Sequence, residues 1–319
     1  MDAKDKRSII LLGRSHAGKT SLSESILYHC KAISRKGTIT EGNTASDYSW
    51  DEIERKISIN DSFLFCDYRN VRVQIVDSPG YIDFYGEVLS GIRAVDNVVL
   101  VVDANSGVDV VTEKVWNLAQ ENGLPCIIFV NKSDAPGINK NKITDDIKVS
   151  LSKKAVTLDD SSALMELVAE SDDGLLEKYL GTGSLSAEEI NNGLRKAVIN
   201  AKAFPVIFGS SLKDEGIEEL LRVINEYAAS PLERAPVELN EGKITFSPLE
   251  GFSGFVFKSI IDPYVGQLSL VRIFSGKLTA NTRFYLPALP YLPCLSKARR
   301  TSSILLCHLL LLAALLDWL

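Results

Sequence analysis

Gly13-Arg14-Ser15-His16-Ala17-Gly18-Lys19-Thr20 follows the apolar run Ser8–Leu12 and leads into a stretch of helical character, Thr20–Cys30. The pattern is G-x-x-x-x-G-K-[ST], set where a strand turns into a helix. In that context a glycine-bearing loop curls its backbone N–H groups around a phosphate at a helix amino terminus, where the dipole adds attraction. The N–H groups of Ser15, His16, Ala17, Gly18, Lys19 and Thr20 are expected to ring a β-phosphate. Gly13 and Ser21 stand at the two ends of this contact set. Lys19 is expected to reach the β- and γ-oxygens, and Thr20 to ligate a magnesium ion.

Four further apolar runs end in the same manner. Val71–Val76 stops at Asp77-Ser78-Pro79-Gly80, Val98–Val102 at Asp103-Ala104, Cys126–Val130 at Asn131-Lys132-Ser133-Asp134, and Val206–Phe208 at Gly209-Ser210-Ser211. Continuous Val/Ile/Leu runs without alternation suit parallel strands covered on both faces. Helical stretches lie between them at Thr20–Cys30, Asp83–Ala94, Asp109–Glu121 and Ile217–Tyr227. The fold class is therefore α/β, a doubly wound and mostly parallel sheet whose ligand sits at the carboxyl ends of the strands. Ser62–Cys66 and Val71–Val76, joined by Asp67–Asn70, read as an antiparallel hairpin at the sheet edge.

Each motif suits a separate part of one ligand. Asp77 is placed to hold magnesium through a water, and the Gly80 N–H to meet a γ-phosphate, a contact that exists only in the triphosphate state. Guanine presents N1–H and N2–H₂ side by side, and one carboxylate accepts both, so Asp134 with Asn131 and Lys132 reads as a guanine site. Ser210 and Ser211 would support the base through backbone N–H groups. Ser58, in Arg55-Lys56-Ile57-Ser58-Ile59, is the candidate hydroxyl that completes the magnesium shell. The polar stretch Gly37–Ile53 before it has no clean period and suits a switch loop. The ligand expected is GTP or GDP with Mg²⁺.

Composition narrows the partners. The 319-residue chain has a formal net charge of −6 and an isoelectric point near 5.3, so no global positive field draws it to DNA. Its five cysteines form no C-x-x-C pair and have no histidine at metal-ligand spacing, which reads as buried thiols in a reducing compartment. The charged start Met1–Arg7 runs straight into a strand, so no signal peptide is expected and cytoplasm is the default.

The domain reading is a nucleotide domain over 7–230 with a helical insert at 136–203, a linker at 231–251, a partial β-barrel at 252–286 and an atypical hydrophobic tail at 287–319. In the insert, Leu175–Leu180 and Ile190–Ala201 carry helix periodicity, with Ser186 as a cap ahead of Glu188-Glu189. In the barrel region, Gly254–Ile261, Gln267–Phe274 and Thr282–Leu286 alternate and are separated by turns at Asp262–Gly266 and Ser275-Gly276. The tail shows no strand-and-turn rhythm. Its end, Leu305–Leu316, reads as a helix apolar on all sides. From Ile304 to Leu319 there are 16 residues including His308 and Asp317, short of the roughly 20 that span a bilayer, so a membrane partner is not expected.

At this point the chain resembles the translational GTPases of the elongation factor G type, over about residues 7–286. Besides the loops above, the resemblance rests on Asp77-Ser78-Pro79-Gly80-Tyr81-Ile82-Asp83-Phe84 with Glu87-Val88, Ser106-Gly107-Val108 with Thr112-Glu113, and Leu176–Leu180. It also rests on Phe257-Lys258 through Asp262–Gly266 to Arg272–Gly276. The resemblance implies GTP hydrolysis and a ribosome partner, in elongation or ribosome recycling. It makes Lys19, Gly80 and Tyr81 the catalytic set, and Thr20, Ser58 and Asp77 the metal set. Tyr81 stands where the family has a catalytic histidine. A phenol is a poor base at neutral pH, so slow intrinsic hydrolysis is expected. His16 replaces a frequent family aspartate, and Ser58 a threonine. The insert after Leu158 is expected to lack most of a small β-subdomain. Residues 287–319 read as an alternative or out-of-frame terminus in place of the rest of the barrel and three further domains. Two other readings stay open: a GTP-binding remnant without translocation activity, and a membrane-tethered GTPase using Ile304–Leu319.

Overall fold

The computed structural model describes residues 2–234 without a break, and beyond them 237–239, 242–244, 246–247, 249, 251–262, 266–279, 283–284, 294–295, 298–301 and 304–307. The chain divides into two compact units, Met1–Glu233 and Arg234–Leu319.

In the first unit the apolar runs become the strands of one sheet. These are β1 (Lys6–Leu12), β2 (Ser62–Tyr68), β3 (Val71–Asp77), β4 (Asn97–Asp103), β5 (Cys126–Asn131), β6 (Ala155–Thr157) and β7 (Phe204–Phe208). Their order across the sheet is β2-β3-β1-β4-β5-β7-β6, with β2 antiparallel to β3 and every other pairing parallel. All seven positions of β4 and all six of β5 are buried, as continuous apolar strands under two helical layers must be. Burying one such Ile or Leu side chain contributes about 2 kcal/mol. Parallel register brings Leu11 opposite Asp77, Asp103 opposite Asn131, and Val130 opposite Phe208. The ends that carry the motifs therefore emerge together on one edge.

The helices are α1 (Lys19–His29), α2 (Trp50–Arg55), α3 (Tyr85–Gly91), α4 (Val110–Glu121), α5 (Lys140–Ser150), α6 (Ser161–Ser171), α7 (Asp173–Thr182), α8 (Ala187–Ile199) and α9 (Ile217–Tyr227). Sequence explains their ends. Asp109 caps α4 by accepting the Thr112 N–H at 2.8 Å, and Ser186 with Glu189 forms a capping box at α8. In α9, Ile217, Leu220, Leu221 and Ile224 recur at helical spacing, and all are fully buried.

Several boundaries differ from the sequence expectations. The stretch Asp83–Ala94 holds α3 between two 3-10 turns, Ile82–Phe84 and Ile92–Ala94, consistent with the poor helix propensity of Gly86 and Gly91. The edge hairpin continues to Tyr68 and turns at Arg69-Asn70, with Arg69 in the left-handed region at φ 52°. The insert contains α5 and α6 and the three-residue β6, too short to show a period. The switch-loop stretch Gly37–Ile53 holds the start of α2, capped by Ser49 and Glu52.

In the second unit, β8 (Val237–Leu239) and β9 (Gly242–Ile244) pair within the stretch read as a linker. Strands β10 (Ser253–Asp262) and β11 (Gly266–Ser275) form the expected hairpin, and β12 (Arg283–Phe284) pairs with β13 (Cys294–Leu295). Then β14 (Ala298–Thr301) and β15 (Ile304–Cys307) complete a four-stranded antiparallel sheet, β10-β11-β15-β14. This corrects the reading of the tail. Ile304–Cys307 is a strand, with Leu305 opposite Val271, because a short apolar run fits a sheet as well as a helix and only a neighbouring strand decides. Residues 308–319 lie outside the described residues. Among the described residues no helix is long and apolar enough to cross a membrane.

Candidate functional site

The loop from Gly13 to Gly18 leaves β1 and delivers Lys19 as the first residue of α1. Gly18 takes φ 93°, and a Cβ there would strike the Asn131 side chain, so only glycine lets this loop close on the next. Lys19 is buried, its Nζ donating to the Gly13 and Arg14 carbonyls at 3.0 Å each. Burial lowers the Lys19 pKa to about 8, against the pull of the Asp77 and Asp47 carboxylates.

Beneath the ammonium lies unmatched negative charge. Asp77, at the end of β3, is buried, and neither of its carboxylate oxygens has a hydrogen-bond partner. Burial pushes its pKa up, and the hydroxyls of Ser46, Thr20 and Ser23, which fall short of hydrogen-bond geometry, offset this only in part together with Lys19. Asp47 is also buried, its Oδ2 is likewise without a partner, and its pKa rises to about 6, first through burial and then through the Asp77 charge. Beside them the Thr20 and Ser58 hydroxyls stand 3.1 Å apart.

Buried polar atoms are nearly always satisfied. Two carboxylates left wanting beside two convergent hydroxyls fit a small hard cation that takes oxygen ligands and retains water and phosphate in its shell. The donor set is hydroxyl and carboxylate; among the described residues no three His, Cys, Asp or Glu side chains cluster as a metal cage.

Two other buried carboxylates shape the loop that carries Asp47 and Ser58. Glu24 of α1 accepts the Gly37 N–H at 2.7 Å and the Ala45 N–H at 2.5 Å. Glu52 accepts the Ile59 and Asn60 N–H groups, each at 3.0 Å. These acids fold residues 37–60 against the site. Gly80 packs directly on the phosphate loop, since a Cβ there would meet Lys19 Nζ, the Ser15 N–H and Arg14.

At the other end of the site Asn131 joins three loops. Asn131 Nδ2 donates to the Ala17 carbonyl at 2.8 Å and the Ser211 hydroxyl at 3.1 Å, while its Oδ1 accepts the Ser211 and Lys132 N–H groups at 2.9 Å each. The amide is saturated. Asn131 therefore braces the phosphate loop against the Gly209-Ser210-Ser211 loop. Lys132 donates to the His16 carbonyl and to Asp103 Oδ2, each at 2.7 Å, a second brace. Asp134 is paired with Lys213 at 3.0 Å, and the Ser210 hydroxyl, then Lys213, hold its pKa below the ordinary carboxylate value.

A cavity of about 280 Å³ runs through this assembly. It brings together Ser15, His16, Gly18, Lys19, Thr20, Ser21, Ser58, Gly80, Tyr81, Asn131, Lys132 and Ser211 of the expected set. Gly13, Ala17, Asp77, Asp134 and Ser210 belong to the same loops but do not line it. Asp47, Ile39, Lys56, Ile57 and Leu212 line it without having been singled out. For Asp47 the sequence carried no signal. Glu52 was findable, because Ser49-x-x-Glu52 is a capping-box pattern.

A mostly parallel sheet whose strand ends gather a phosphate loop, a buried aspartate pair and a braced N-K-x-D loop defines a P-loop nucleotide-binding fold. Residues 4–230 match the family model described as the elongation factor Tu GTP binding domain. The chain is 32% identical to elongation factor G of Thermotoga maritima over 337 aligned positions, covering 89% of this chain and 49% of that protein. Elongation factor G of Thermotoga petrophila is likewise 32% identical, with 89% and 48% covered. The chain thus spans about half the length of these relatives. A crystal structure of a protein from Thermus thermophilus superposes with a TM-score of 0.78 at 24% identity, covering 96% of this chain and 52% of that one, a likeness of fold. The chain belongs to the translational GTPase family.

Proposed function

We propose that this chain binds GTP with a magnesium ion and hydrolyses it to GDP and phosphate, as the nucleotide domain of an elongation factor G-type translation factor working with the ribosome in elongation or recycling. The observation that carries this reading is the uncompensated charge beneath the phosphate loop: Lys19, Asp77 and Asp47 buried together, with carboxylate oxygens that lack partners. A triphosphate with its cation supplies what is missing.

In this reading the N–H groups of residues 15–20 and the Lys19 ammonium, exchanging the Gly13 and Arg14 carbonyls for phosphate oxygens, hold the β- and γ-phosphates. Thr20, Ser58, Asp77 and Asp47 are the residues that would hold a magnesium ion. A magnesium ion held there would supply positive charge for the phosphate oxygens. Asp134, turned from Lys213 toward the purine, accepts N1–H and N2–H₂ of guanine, and the Ser210 and Ser211 loop supports the base. Hydrolysis forms a bond from a water oxygen to the γ-phosphorus and breaks the bond to the β–γ bridging oxygen, the water proton ending on the released phosphate. Lys19 and the Gly80 N–H stabilise the charge that develops.

Calorimetry on the purified chain with magnesium tests the reading. GTP and GDP are expected to bind at least about 100-fold more tightly than ATP, and equal uptake of ATP removes the base assignment. Ribosome-stimulated hydrolysis is the further expectation; turnover unchanged by ribosomes leaves a nucleotide-binding domain without the translational role.

A further inference from the structure

The fold brings His16 of the phosphate loop and Tyr81 of the D-x-P-G loop into contact. His16 Nε2 and the Tyr81 hydroxyl are 2.9 Å apart, with the rings edge to face at 5.8 Å between centroids. Both residues line the cavity. His16 holds a left-handed backbone, φ 62°, a conformation uncommon for residues with a side chain, though His is among the types enriched there. Such conformations persist where surrounding contacts fix them. Here the Lys132 ammonium fixes the His16 carbonyl at 2.7 Å and is itself held by Asp103 at 2.7 Å. On the far side, Gly80 lies against Lys19 and the Ser15 N–H. The imidazole thus projects from an anchored backbone, and it meets the phenol of a neighbouring loop.

We infer that His16 is the positioning residue for Tyr81, bridging the two loops so that the Tyr81 hydroxyl is fixed at the γ-phosphate end of the pocket. The inference rests on the nucleotide reading given above and adds to it a pair that acts as a unit. With Nε2 unprotonated, the imidazole accepts the phenolic O–H. The phenol oxygen then has only lone pairs to offer, and it accepts a hydrogen from the attacking water and orients that water's oxygen at the γ-phosphorus. A chain of two hydrogen bonds polarises each member. Tyr81 does not take the proton, which passes to the phosphate released. The pair is exposed, so its contribution is modest, about that of one ordinary hydrogen bond, and it acts through orientation.

The experiment uses the full chain with His16→Ala, His16→Gln, Tyr81→Phe and the His16→Ala/Tyr81→Phe double variant. Single-turnover GTP hydrolysis is read beside GTP affinity. His16→Ala and Tyr81→Phe are each expected to slow hydrolysis about fivefold to tenfold while GTP affinity stays within about threefold. The double variant is expected to be no slower than the slower single one, and His16→Gln, which keeps a side-chain hydrogen bond within reach, to recover most of the rate. Rates that multiply in the double variant, or His16→Ala at the wild-type rate, overturn the inference. So does a loss of GTP affinity in His16→Ala that His16→Gln shares. A readout without nucleotide separates the bridge from the site reading: the chain has three histidines, and Tyr81→Phe is expected to shift only the His16 ring-nitrogen NMR signals. If those signals stay in place, the bridge is refuted. If they move but wild type takes up no GTP, the nucleotide reading fails, and with it the role in hydrolysis.

Discussion

At the phosphate end of the pocket, Lys19, Asp77 and Asp47 are buried with carboxylate oxygens that lack partners, and their pKa values are displaced toward the uncharged forms. At the base end, Asn131 has every polar site filled, and Asp134 is a partly exposed carboxylate in a surface ion pair. The first end holds unfavourable charge that a ligand of the right sign and shape would relieve. At the second, the hydrogen bonds of Asn131 fix the loops, while Asp134 is already matched by Lys213. In the proposed reading the difference gives affinity and selectivity separate physical sources: uncompensated charge in low dielectric for the phosphates, and a carboxylate on a braced loop for the base.

Four variants break or sharpen that contrast. Lys19→Ala removes the buried ammonium of the phosphate end, and calorimetry is expected to register a loss of about 1000-fold in GTP affinity. A loss under about tenfold would put the binding energy elsewhere. Asp134→Asn is expected to cost about 100-fold in GTP affinity while leaving the ratio of GTP to GDP affinity unchanged, since that ratio is set at the other end.

Asp47→Asn tests the stored charge through pH. A carboxyl whose folded pKa is about 6, above its ordinary value near 4, binds its proton more tightly in the native state. Its stabilising contribution is therefore full below about pH 4 and lost as pH rises through about 6. Without ligand, the asparagine variant is expected to melt a few degrees above wild type at about pH 7.5, with the gap closing toward about pH 4. With magnesium and GTP the order should reverse. A wild type that melts higher in both conditions would mean that Asp47 is compensated within the protein. The smallest effect belongs to Lys213→Ala. The pair with Asp134 is solvent-exposed and contributes little, so melting temperature is expected to hold and GTP affinity to change less than about threefold.

Legibility in the sequence followed from the kind of signal. Strands β1, β4, β5 and β7 contain continuous apolar runs, and burial on two faces leaves no other way to satisfy them. The loops that follow carry glycine and charge in patterns that few structures besides a nucleotide site require. By contrast, the buried role of Glu24 is invisible along α1, where it reads as one more polar helix residue. Asp47 lies in a polar loop whose pattern has no period, and its environment is made by β3 and α1. Ile304–Cys307 shows the reverse failure, an apolar run whose helical or extended form depends on the strand offered by Ser269–Val271. Asn131 also braces loops its motif does not name, because residue type alone does not say which of its hydrogen bonds the protein already fills.

By itself the sequence determined the α/β architecture, the phosphate loop and the order of the nucleotide motifs, because these follow from local spacing and from the period of apolar residues. Only the tertiary structure decided which acids lose their water, that Asn131 is a brace, and that His16 faces Tyr81. Desolvation and hydrogen-bond saturation arise from groups far apart in the chain, Asp77 with Asp47 and Asn131 with Ala17 and Ser211. No reading along a single strand of residues can supply them.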